Sequence, residues 1–164
     1  MIRIRIGTML LCILCVGCMD ERNAGTAATD FDHVAEDALQ AMQHHATEIS
    51  ATGAAVVAYI PGNATTRWSS RMLVVGTFTK DESNVLAFVY AKAAEMADTL
   101  KDSGSGVRPT KKGENGWKGG VIRKVANGYV LAAFSGAKSE DDVVISNAGA
   151  DVMSNSFDGQ KPGK

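Results

Sequence analysis

The chain has 164 residues, 45% apolar and 21% charged, with a formal net charge of −1. That is about one domain's worth of chain with an ordinary globular balance, which argues against a disordered or multidomain protein. All three cysteines, Cys12, Cys15 and Cys18, lie in the first 18 positions.

Residues 1–17 have the anatomy of an export signal: Arg3 and Arg5, an apolar run from Met9 to Val16, and the small residue Gly17. The run is too short for a bilayer core, which needs about 20 residues. The stretch Leu14-Cys15-Val16-Gly17-Cys18 resembles the bacterial lipobox, with Cys15 where a leucine is usual. The resemblance implies cleavage before Cys18, lipidation of Cys18 with diacylglycerol and palmitate, and a cell-envelope location on the periplasmic or extracellular face. Without residues 1–17 there remain 147 residues carrying 15 Lys/Arg and 18 Asp/Glu, a net charge of −3. Such a chain buries nearly 70% of its unfolded surface, by an order-of-magnitude scaling. With no thiol after Cys18, disulfides, cysteine nucleophiles, iron–sulfur clusters and thiolate–zinc sites are excluded from the mature domain.

Residues 18–30 read as a polar tether. From Phe31 the residues Phe31, Val34, Ala35, Ala38, Met42, Ala46 and Ile49 recur at three and four, predicting an amphipathic helix over 31–50 capped by Asp30. Ala54 to Ile60 predicts a buried strand ending at Pro61-Gly62-Asn63, and Thr65 to Gly76 a second strand, bent near Ser69-Ser70. Thr79-Lys80-Asp81-Glu82 has the form of a capping box for a helix over about 80–102, with Val85, Phe88, Val89, Ala93, Met96, Ala97 and Leu100 on one face and Gly104 as its stop. Residues 103–120 read as a long aperiodic loop, solvated and mobile. Val121–Val125 and Tyr129–Phe134, joined at Asn127-Gly128, predict a hairpin with a type I′ turn. Ser139-Glu140-Asp141-Asp142 then caps a last helix built on Val143, Val144, Ala148, Val152 and Met153, and the tail from Asp158 reads as frayed. Strands arriving in hairpins, with helices before, between and after, predict an α+β fold with a mainly antiparallel β-sheet flanked by helices.

The segment Gly119-Gly120, Asn127-Gly128, Ser135-Gly136-Ala137, Asp142 and Ala148-Gly149 resembles the closing signature of the GlcG-like, haem-binding or haem-degrading family, which includes HbpS-like proteins and the C-terminal domain of PduO corrinoid adenosyltransferases. Upstream, Ala54–Asn63 and Ala91-Lys92-Ala93 fall collinearly, so the likeness spans roughly residues 31–155. It implies a profilin-like, three-layer domain over residues 31–157 that binds haem or a related tetrapyrrole for sequestration, delivery or sensing, and a homo-oligomer. It also implies a ligand site at His45, Lys92, Arg108, Gly119, Gly120, Ser135 and Gly136, with His45 as the donor to a haem iron.

Read from the residues alone, the three histidines His33, His44 and His45 all lie on the first helix. At about 100° per residue only His45 falls near the apolar face, and His44 and His45 diverge too far to chelate one ion. No nucleophile elbow, P-loop or dinucleotide fingerprint stands out, so a non-enzymatic role is expected, with weak haem degradation as an alternative. Asp141-Asp142 and Asp81-Glu82 sit in predicted first helical turns, where acids answer the helix dipole. Between Lys101 and Lys124 seven basic residues face two acidic ones, a local +5 on a body of −8. This loop suits anionic headgroups, propionates or another acidic ligand, and the rival reading is an envelope interaction module that kept the fold without the ligand. Nucleic acid is not an expected partner.

Overall fold

The computed structural model describes residues 21–77 and 83–159, of which 21–30 as backbone alone. Three helices and four strands follow the order α1 (Glu21–Glu48), β1 (Gly53–Pro61), β2 (Ser69–Val75), α2 (Val85–Thr99), β3 (Gly120–Val125), β4 (Gly128–Ser135) and α3 (Ser139–Gly159). The strands form one antiparallel sheet in the order β2-β1-β4-β3, so the expected α+β architecture is the observed one.

The two central strands, β1 and β4, are continuous apolar runs because both of their faces are covered. Alternation along them sends Ala55, Val57, Val130, Ala132 and Phe134 toward α1 and α3, where they meet Phe31, Leu39, Met42, Ile145 and Met153. The other parity, Ala54, Val56, Ala58, Ile60, Leu131 and Ala133, packs against Val85, Val89, Ala93 and Met96 of α2. The sheet thus lies between a two-helix layer and a one-helix layer. No helix among the described residues is long and apolar enough to cross a membrane.

Several boundaries differ from the sequence reading. α1 begins at Glu21, inside the expected tether, which places Asp30 within the helix. Ala24, Ala27 and Ala28 make those turns helix-compatible without an apolar period. The same helix stops at Glu48, leaving Ile49 50% exposed instead of in the core. Residues 65–68 are not strand: the Thr65 hydroxyl donates to Ala97 O at 2.6 Å and ties that segment to α2. The expected capping box at 79–82 lies outside the described residues; α2 is capped by Asn84, whose side chain accepts from Ala87 N. Its C-terminal stop is Leu100, in the left-handed region at φ 52° with its N–H on Met96 O, four residues before Gly104. In the hairpin, Val125 pairs with Gly128, so the turn residues are Ala126 and Asn127; neither has a positive φ, which excludes type I′.

In α3, Ser139 is the first helical residue, not the cap, and the buried face carries Asp142, Ile145, Ser146, Gly149, Ala150, Met153 and Ser154. Val144, expected inside, is 58% exposed. The face was misread because two of its polar members are buried with partners: Ser146 Oγ donates to Gly119 O at 2.7 Å, and Asp142 accepts from Lys92. Asp158, expected in a frayed tail, accepts from Ala126 N and holds the end of α3 on the hairpin.

Candidate functional site

α2 contributes two ionic anchors six residues apart: the inner one ties the end of β4 to the start of α3, and the outer one holds the loop at Arg108 and Lys111. The inner one is Lys92, 3% exposed, on the sheet-facing side. Its ammonium donates to Asp142 Oδ2 at 2.7 Å and to Phe134 O at 2.8 Å, and Asp142 Oδ1 accepts from Ala137 N at 3.0 Å. Three elements, α2, the end of β4 and the start of α3, therefore meet on one ion pair. An ammonium has three N–H donors, so one remains uncommitted among the described residues. Burial pushes the Asp142 carboxyl above its usual range, against the pull of Lys92 and of the Ala137 N–H.

Gly119 and Gly136 make this arrangement sterically possible. Gly119 has φ +128°, and a Cβ there would overlap Lys92 Nζ and lie 2.8 Å from Asp142 Cβ. Gly136 has φ +149°, and a Cβ would overlap the carbonyl oxygen of Thr52 where the chain leaves β4 for α3. Gly120 starts β3, donating to the buried Ser103 Oγ at 2.8 Å.

Above the ion pair lies a cleft of about 260 Å³ lined by Ser83, Val85, Phe88, Lys92, Trp117, Ser135, Gly136, Ala137, Ser139 and Asp142. Its mouth is aromatic: the rings of Phe88 and Trp117 are 5.2 Å apart, centre to centre, and Trp117 is 51% exposed. Its base is polar, with the Lys92–Asp142 pair and the hydroxyls of Ser135 and Ser139, which hold no hydrogen-bond partner among the described residues.

The outer anchor of α2 is Asp98. Arg108 Nε and Nη2 donate to its carboxylate at 2.9 and 2.6 Å, and Lys111 Nζ donates to both of its oxygens at 2.9 and 2.7 Å. Arg108 also grips Glu114 with two bonds of 2.8 and 2.7 Å and reaches Pro109 O at 2.9 Å. Arg108 and the Lys111 N–H hold Glu114 well below its usual range, at about 2. The basic loop expected to be mobile is therefore latched to α2, and three of its seven cations are paired: Arg108 with Asp98 and Glu114, Lys111 with Asp98, and Arg123 with Asp151.

Of the expected ligand residues, the structure gathers Lys92, Ser135 and Gly136 on the cleft, with Gly119 directly behind Lys92. Gly120 is adjacent but packs against Met96 and Ser103. Arg108 is a correction: all five guanidinium N–H donors are spent on Asp98 of α2 and on Pro109 and Glu114 of the loop, so none is left for a ligand. His45 lies in the last turn of α1, in the two-helix layer across the sheet from α2, with its side chain 46% exposed and 3.3 Å from Glu48. It lines neither this cleft nor the groove described below. Among the described residues no group of three or more His, Cys, Asp or Glu is placed to hold a metal ion. The donor set therefore does not fit a haem iron ligated by His45 within the cleft. Cys18 lies outside the described residues.

Sequence reasoning missed Phe88 and Trp117 as cleft residues, the first because it matched the apolar helical period, the second because it lay in an aperiodic loop. It named Asp142 but read it as a helix-dipole acid.

No family model matches the chain, and no curated protein matches it. Among solved structures it is similar to Klebsiella pneumoniae protein ORFY, described as DUF336, at 18% sequence identity and a TM-score of 0.42, over 74% of this chain and 88% of that one.

Proposed function

We propose that this is a non-catalytic ligand-binding domain of the cell envelope, anchored through a lipid on Cys18, whose ligand site is the cleft between α2, the end of β4 and the start of α3. The observation that carries this reading is the convergence on one cleft of two aromatic rings, two unpartnered hydroxyls and a buried lysine with one uncommitted N–H. Pockets that bind small molecules combine apolar walls with a few converging polar groups in this way. The ligand has a flat apolar part that rests on Phe88 and Trp117 and an acceptor group, such as a carboxylate, that reaches Lys92, Ser135 and Ser139. A tetrapyrrole satisfies this chemistry by inserting one propionate-bearing edge, with its iron free of His45.

Hemin titrated into the full chain should give a saturable Soret shift together with quenching of Trp117, measured in a Trp68→Phe background. Ser135→Val should weaken it about tenfold or more, the loss of one charge-assisted contact, and His45→Ala should leave it unchanged. Loss of binding in His45→Ala, with Ser135→Val unaffected, would move the site to α1. An absent Soret shift would leave the domain as an interaction module without a tetrapyrrole.

A further inference from the structure

We propose that the groove between the β1–β2 connection and the second half of α2 is a second binding site, selective for small planar aromatic carboxylates. It is independent of the cleft. The groove has a volume of about 390 Å³, within the range of small-molecule pockets, and is lined by Thr65, Thr66, Arg67, Trp68, Ala94, Ala97 and Asp98.

Three features set its chemistry. The lining is mostly apolar: Trp68 packs on the α2-side core and stays partly exposed, and Ala94 and Ala97 present only methyl groups, leaving room for a flat ring against the indole. The walls are fixed in advance, since Thr65 Oγ1 donates to Ala97 O at 2.6 Å and Gly62 N donates to Asn127 O at 2.9 Å, so the connection is held to α2 at one end and to the hairpin at the other. The third feature is charge. Arg67 is exposed and holds no hydrogen bond or ion pair among the described residues. The carboxylate within the same lining, Asp98, is already saturated by Arg108 and Lys111 and does not quench it.

A guanidinium with five unused donors beside an indole wall fits a carboxylate on an aromatic ring better than a phosphate cluster or a cation. The planar fork matches the two carboxylate oxygens, while the rest of the lining offers surface to a ring and no second cation, Arg108 and Lys111 at its edge being paired with Asp98. Because Arg67 is far from dry, the pairing is salt-sensitive.

The test is titration of the full chain with 2-naphthoate, followed by calorimetry and by the two indole N–H resonances in ¹H–¹⁵N spectra, which separate Trp68 from Trp117. The expected result is a saturable shift at Trp68 with Trp117 stationary, and affinity about ten- to hundredfold lower for Arg67→Gln and for the neutral 2-naphthamide, the range of one charge-assisted fork. Should Arg67→Gln lose the folded spectrum, the comparison of acid and amide on the unmodified protein decides. An amide that binds as tightly as the acid, an unchanged affinity in a folded Arg67→Gln, or a shift confined to Trp117 overturns the proposal. That last outcome would place the acid in the cleft and leave the first site standing.

Discussion

The two ionic anchors of α2 use the same chemistry in opposite surroundings. Lys92–Asp142 is almost dry, with side chains 3% and 5% exposed, and ties together elements about 50 residues apart in sequence. Arg108–Asp98–Glu114 is wet on one side, with Asp98 43% and Arg108 23% exposed, and ties a loop to the helix that precedes it. Removing water strengthens a charge pair and also makes each partner costly when left alone. The inner anchor is therefore an all-or-nothing element of the fold, whereas the outer one is a local fastening that salt and acid weaken.

Removing one inner partner should give the largest effect. Asp142→Ala leaves a buried ammonium without its counter-ion and is expected to cost about 3–5 kcal/mol of stability, read from urea unfolding followed by circular dichroism. Gly119→Ala comes next, at about 1–3 kcal/mol, because it forces a side chain into a positive φ and against Lys92 and Asp142. If that variant is as stable as the parent, the close packing behind the pair is not as drawn.

The anchors should also part on titration. Glu114 has a folded pKa of about 2 against an ordinary 4.5, so its contribution is present above about 4.5 and is lost as pH falls toward 2. Asp142 is shifted upward, so its contribution is fully present below its ordinary 3.8 and declines as pH rises through the raised value. Between pH 4.5 and 2, hydrogen exchange should accelerate in the amides of 103–118 before those of β4, and Glu114→Gln should remove that early phase. Simultaneous release of both regions would show that the two anchors are not separable. The smallest global effect is expected for Arg108→Ala. Its unfolding midpoint should move less than that of either inner variant, while trypsin cuts faster at Lys111 and Lys112.

What the sequence disclosed follows the same division between local and long-range interactions. Element types were legible wherever an apolar period or run was driven by burial, as in α1 from Phe31, β1, the hairpin and α2. Endings were not, because Asn84, Leu100 and Asp158 act through single hydrogen bonds that leave no periodic trace. The cleft was half legible. Lys92, Ser135 and Gly136 were named through a family resemblance, and Asp142 was visible as an acid at a helix start. Nothing local could show that Lys92 and Asp142 share a proton-donor bond, since their meeting depends on how α2 and α3 pack at the end of β4. His45 and Arg108 fall outside the cleft for a related reason: residue type suggested a free donor and a free cation, and only the tertiary structure puts one in the two-helix layer across the sheet from α2 and occupies the other with Asp98, Pro109 and Glu114.

On the proposed function the dry pair is retained as the floor of a ligand site and not for stability, since a buried ion pair is commonly replaceable by apolar residues of similar volume at little cost. The most direct test is the double variant Lys92→Met/Asp142→Leu, assayed for urea stability and for hemin binding beside the parent protein. The expected result is a folded domain that recovers at least about half of the loss seen in Asp142→Ala and no longer shifts the Soret band. A stable double variant that binds hemin as the parent does would contradict the claim and reduce the pair to a joint of the fold.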